Sequence, residues 1–196
     1  MERKQFIRIG AIAVSSLLIE SGPIMAQKQQ IPESYRFDDD GVIPNSMYPL
    51  LLYHRAFPQR GQEGGDWLEA LFAANGWTNS WRWGIYPFHH YHSNTHEVLG
   101  VFSGSALLHL GGEQGRKLSV QAGDIVVIPA GVGHKCLDHT DNFTVLGAYP
   151  DGRSPDLHKG LEGERPQADR NIAAVPLPRT DPFMGMSGGL RTEWIK

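Results

Sequence analysis

His90-Tyr91-His92-Ser93-Asn94-Thr95-His96-Glu97 is the stretch whose reading decides the fold. In a strand, successive side chains alternate, so His90 and His92 point one way and Tyr91 the other. Ser93-Asn94-Thr95 is turn-prone, and a tight turn there predicts an antiparallel return that lets Glu97 face the same interior despite its opposite parity. A turn one residue longer brings His96 to that place instead. Alternation puts His89 on the outside.

A second stretch follows downstream. Ile125 to Ile128 reads as a buried strand ended by Pro129 and Gly131, a corner that delivers His134 from a second hairpin. The spacing His90-x-His92, four residues, Glu97, six residues, Gly104 resembles the first signature of the cupin superfamily. Gly123, five residues, Pro129-Ala130-Gly131, two residues, His134 resembles the second. The resemblance implies an all-β fold, a single double-stranded β-helix (jelly-roll) barrel, with one divalent metal held by His90, His92, Glu97 and His134. Blocks 76–81, 84–112, 129–135 and 147–152 resemble the YjlB-type bacterial cupins more closely, and that likeness spans about residues 35 to 190.

An inward set of His and Glu is costly to bury unless paired or ligating, which favours a metal over a merely polar strand face. Three nitrogens and one oxygen on an octahedral ion leave two positions open. Mn(II) or Fe(II) suits that set best, with Zn(II), Ni(II), Co(II) and Cu(II) able to enter by affinity.

Around these ligands the sequence supplies weaker candidates. By parity from His90, Arg82, Tyr86 and Phe88 share the inward face if Pro87 leaves the strand unbroken; Arg82 would clamp a carboxylate and Tyr86 would orient substrate. An aromatic core with Arg82 at its rim is the competing reading. Cys136 and Asp138 alternate with His134 and would line the cavity, although a packed core thiol is the commoner fate of such a cysteine. His109 and Tyr149 are candidates of the same kind.

Further out, 23 Gly and 13 Pro in 196 residues indicate short strands and many turns, and the length fits one core. Asp66 reads as a helix N-cap with Glu69 as its capping-box partner, and Asn75-Gly76 as the stop, giving a helix of about ten residues. Residues 27–45, with the acidic run Asp38 to Asp40, read as a solvated lead-in. Beyond Pro150, the proline-rich segment 151–196 is expected to run over the outside of the barrel.

Residues 1–26 read as an export signal. Arg3, Lys4 and Arg8 precede a short apolar run from Ile9 to Ile19, and Arg3-Lys4 resembles a twin-arginine motif. That predicts a periplasmic protein with no membrane association after cleavage, the alternative being a cytoplasmic one; 27–196 is then a single cupin domain with its core at about 77–150. A net charge of -3 without a basic stripe excludes nucleic acid as partner. One cysteine excludes an internal disulfide. The family resemblance implies a homodimer. Two functions stay open: a metal-dependent oxidoreductase, dioxygenase-like, on a small molecule, and a non-catalytic small-ligand-binding cupin.

Overall fold

Nine short strands and three helices account for residues 30–195, the residues described by the computed structural model. The export segment expected at residues 1–26 lies outside them. Among the described residues no helix is long and apolar enough to cross a membrane.

In chain order the elements are β1 (Glu33–Tyr35), β2 (Leu50–Tyr53), α1 (Gly61–Ala74), β3 (Trp77–Trp83), β4 (Glu97–Ser103), β5 (Ser105–Leu110), β6 (Arg116–Gln121), β7 (Ile125–Ile128), β8 (His134–His139), β9 (Thr144–Pro150), α2 (Gln167–Ala174) and α3 (Gly189–Glu193). One sheet runs β1-β2-β7-β4-β9-β3 and the other β6-β5-β8, every pairing antiparallel. The architecture is the predicted jelly-roll type, with the two sheets remaining separate rather than hydrogen-bonded into a closed ring.

Alternation along β4 splits the interior into two cores. Leu99 and Val101 join Leu50, Leu52, Leu108, Leu110, Val126 and Val145 between the sheets. Val98 and Phe102 join Leu68 and Phe72 of α1, with Phe183, Leu190 and Trp194, on the opposite face of the large sheet. Apolar burial drives both layers. Helix α1 comes close to the sheet because residue 100 is glycine: a Cβ there would meet the Leu68 side chain at 2.6 Å.

Several sequence expectations need correcting. Helix α1 starts at Gly61, with Arg60 as N-cap and no side-chain cap, rather than at Asp66. Asp66 and Glu69 instead bind Arg82, each at 2.7 Å from Nη2. The lead-in contains strand β1. Its acidic run is not merely solvated, since Asp39 pairs with Arg165 at 2.8 Å and Asp40 accepts from the Val42 and Ile43 amides. Among the described residues the segment after Pro150 adds no strand to either sheet. It is nevertheless a packed element: Asp181, fully buried, accepts from Tyr53 Oη at 2.6 Å and from the amides of Phe183, Met184 and Leu190.

Candidate metal centre

The ligand-bearing segment does not pair with β4 as a hairpin. His90 bridges His134, with reciprocal amide–carbonyl bonds of 3.2 and 2.9 Å, while Cys136 N donates to Tyr86 O. Residues 86–92 thus lie along β8 as a further, irregular edge of the small sheet. The turn at 93–95 crosses to the large sheet, where β4 begins. It is pinned from the C-terminal segment: the Asp156 carboxylate accepts from Ser93 N at 2.7 Å and Ser93 Oγ at 2.5 Å, and Asp156 N donates to Asn94 Oδ1.

This crossing decides between His96 and Glu97. Glu97 shares the parity of Leu99 and Val101 and enters the space between the sheets, opposite Ile128 of β7. His96 falls on the other face, buried between Tyr48 and Trp194, where its Nδ1 accepts from Ala130 N at 2.9 Å. Burial pushes His96 down to about 4.

His90, His92 and His134 are each under a tenth exposed, and one ring nitrogen of each lies within 4.8 Å of those of the others. Glu97 Oε2 is 3.2 Å from His134 Nε2 and 3.5 Å from His92 Nε2. The other nitrogens fix the tautomers. Nδ1–H of His134 donates to Val132 O at 3.1 Å, that of His90 to Phe88 O at 3.4 Å, and that of His92 to Asp156 O. A carbonyl can only accept, so each Nδ1 carries a proton and each Nε2 lone pair is directed inward. Three lone pairs and a buried carboxylate oxygen with no hydrogen-bond donor converge, and such a set calls for a cation.

The electrostatics agree. Burial opposes the Glu97 charge, but His92 and His134 beside it hold its carboxyl well below the usual range. Burial, with His134 next to it, pushes His90 down to about 2, so it is a neutral imidazole. Burial also opposes a charge on His92, yet the Glu97 carboxylate outweighs it and raises this residue. A divalent ion held here would take the place of any proton shared between these groups. The other Glu97 oxygen accepts from Tyr149 Oη at 3.0 Å, which in turn accepts from Trp81 Nε1 at 2.8 Å.

These groups floor a cavity of about 370 Å³, walled by Trp81, Trp83, Ile85, Tyr86, Leu99 and Leu157. Among the described residues no Lys or Arg lines it.

A family model described as "Cupin domain" matches residues 84–146. The "Uncharacterized protein YjlB" of Bacillus subtilis (strain 168) is 44% identical over 165 residues, 84% of this chain and 97% of that protein. The chain belongs to the cupin superfamily, in its YjlB-like branch. Among solved structures, this cupin is similar to Bacillus subtilis oxalate decarboxylase with Mn(II) centres, at 20% identity over 57% of this chain and 22% of that one, TM-score 0.33. It is also similar to acireductone dioxygenase from Bacillus anthracis with cadmium in its active centre, at 15% identity over 46% and 62%, TM-score 0.34. This cupin therefore spans less than a quarter of the decarboxylase chain.

Two further candidates from the sequence lie at the site. Tyr86 lines the cavity, its ring edge-on to His90 at 5.0 Å, and Tyr149 holds Glu97. Four do not. Arg82 faces α1, because β3 ends at Trp83 and the parity counted back from His90 is lost across Gly84 to Pro87. The strand is shifted again at Asn79, whose φ of 57° marks a bulge, so Trp77 packs under α1 while Trp81 turns inward onto Gly147. A Cβ at 147 would lie 2.2 Å from the Trp81 indole. Cys136 keeps the register of His134 but packs in the inter-sheet core, and Asp138, beyond a register shift at Leu107/Leu108, is exposed. His109 meets the outward His89 on the far face of the small sheet. Sequence reasoning missed Asp156; its only signal was a polar Asp-x-His inside a proline-rich stretch.

Proposed function

We propose that this cupin is a metal-dependent oxidoreductase of the dioxygenase kind, holding one Mn(II) or Fe(II) through His90, His92, His134 and Glu97. What carries this reading is the convergence of four acceptor atoms, three with tautomers fixed by backbone carbonyls, on the floor of an otherwise apolar cavity. When bound, the ion supplies Lewis-acid and one-electron redox chemistry to a chelated molecule.

The protein's own groups select that molecule. Trp81, Tyr86, Leu99 and Leu157 offer apolar, largely aromatic walls that exclude water and favour a flat substrate. With no Lys or Arg among the described residues of the lining and two carboxylates, Glu97 and Asp156, already there, a dianion is disfavoured. A neutral or singly charged chelating head, such as a 1,3-diketone enol or a catechol, is the chemistry the walls accept. Tyr149, pushed up by burial and by Glu97, keeps its proton on the Glu97 oxygen that faces away from the histidines and orients the other toward them.

A non-catalytic binding role is favoured by one observation: the protonic groups nearest the ligands are engaged, Tyr149 with Glu97 and Asp156 with Ser93. Oxygen uptake separates the two. Protein stripped of metal and reloaded with Fe(II) should consume dioxygen with a diketone or catechol and not with oxalate, and His92→Ala should not. Tight binding of a diketone with no oxygen consumed under Fe(II) or Mn(II) would favour the binding role.

A further inference from the structure

On the opposite side of the ligand-bearing segment lies a second, independent constellation. His89 points away from His90, as alternation requires, and its side chain is only 9% exposed. Both of its ring nitrogens are buried with no hydrogen-bond partner among the described residues. Its ring stands 4.9 Å from that of His109 on β5, itself 5% exposed, and its Nε2 is 3.5 Å from Glu113 Oε1 in the β5–β6 turn. One donor atom from each of the three residues lies within 4.8 Å of the others.

An imidazole with neither nitrogen satisfied forfeits a donor and an acceptor interaction, a cost that a neutral packing role does not repay. Lys117 and Lys135, the strand partners of His109, bring only further donors to this face and no acceptor for either ring. A ligated cation does satisfy it, since two imidazole nitrogens and one carboxylate oxygen, completed by solvent on the exposed Glu113 side, form a common late first-row donor set.

We propose that His89, His109 and Glu113 form a second divalent-metal site, for Zn(II), Ni(II) or Cu(II). It is reached from the outer face of the small sheet and does not depend on the inner site. Lys135 sets its affinity. Its Nζ is 2.5 Å from Glu113 Oε1, so an incoming ion must take the carboxylate from the ammonium. Filling the site ties His89 on the irregular edge segment to β5, across β8, and thereby fixes the backbone that carries Tyr86, His90 and His92.

The test uses the full chain stripped of metal and dialysed against graded Zn(II), with bound zinc read by elemental mass spectrometry. The wild type is expected to fill about two sites per chain, Glu113→Gln to weaken the outer one by roughly a hundredfold, and Lys135→Gln to tighten it by roughly tenfold. His92→Ala is expected to lose the inner site and keep the outer. Glu113 and Lys135 are peripheral, so neither change threatens folding. If Glu113→Gln and Lys135→Gln both leave zinc uptake unchanged, or if Lys135→Gln weakens it, the outer site does not exist, whatever the inner site does.

Discussion

His90 and Glu97 have neighbours, His89 and His96, that look equivalent in sequence and have opposite fates. The inward pair joins His92 and His134 in a buried set of acceptors, each imidazole fixed by a carbonyl and the carboxylate by a phenol. In the outward pair His96 is buried and His89 partly so, and both are differently used. His96 takes a backbone amide between aromatic rings, and His89 stands beside a lysine already paired with the third member of its cluster. Residue type alone therefore does not decide what these side chains meet. Direction and the neighbouring charges do.

The largest effect expected from breaking this contrast is on the inward side. His134→Ala should lower inner-site metal affinity by at least about a hundredfold, read by competition with a chromogenic chelator. The outer cluster should be untouched by the same change. Next comes Asp156→Ala, which leaves the His92 carbonyl partner in the chain but frees its anchor on Ser93; a loss of roughly tenfold in metal affinity is expected by the same assay. An unchanged affinity would mean the turn is held without it.

On the outward side the effect is on stability and depends on pH. His96 is neutral when folded, with its pKa depressed from 6.5 to about 4, so the unfolded chain binds the extra proton. Its contribution is complete above about pH 6.5 and is lost as pH falls toward 4, at most about 3 kcal/mol. His96→Gln should flatten the fall in urea midpoint between pH 7 and 4.5. A steeper fall than in the wild type would contradict the neutral assignment. Smallest is Arg82→Met. Its ion pairs to Asp66 and Glu69 are partly exposed, so a stability change within about 1 kcal/mol and no change in metal affinity are expected.

The sheets and the motif residues were legible in the sequence because both rest on period-two alternation and on turns marked by Gly and Pro. What was hidden has physical causes. Both faces of β4 are apolar, so alternation alone could not rank His96 against Glu97; the core between the sheets decides. A bulge at Asn79 and the break from Gly84 to Pro87 reverse parity, which sent Arg82 outward and Trp81 inward. The start of α1 was masked by Gly64 and Gly65, poor helix formers that here allow close approach to Gln59 and Arg82. Asp156 was invisible because its partners, Ser93 and His92, are more than sixty residues away.

The most direct measurement of the central claim is metal per chain in residues 27–196, purified without an affinity tag, for the wild type, Glu97→Gln and His96→Gln. Loading is with Mn(II) or Fe(II), which the outer cluster, with its lysine competitor, should not retain. About one Mn or Fe per chain in the wild type and in His96→Gln, lost in Glu97→Gln, is the predicted result. No stoichiometric metal under any loading condition, or loss with His96 instead of Glu97, would contradict it.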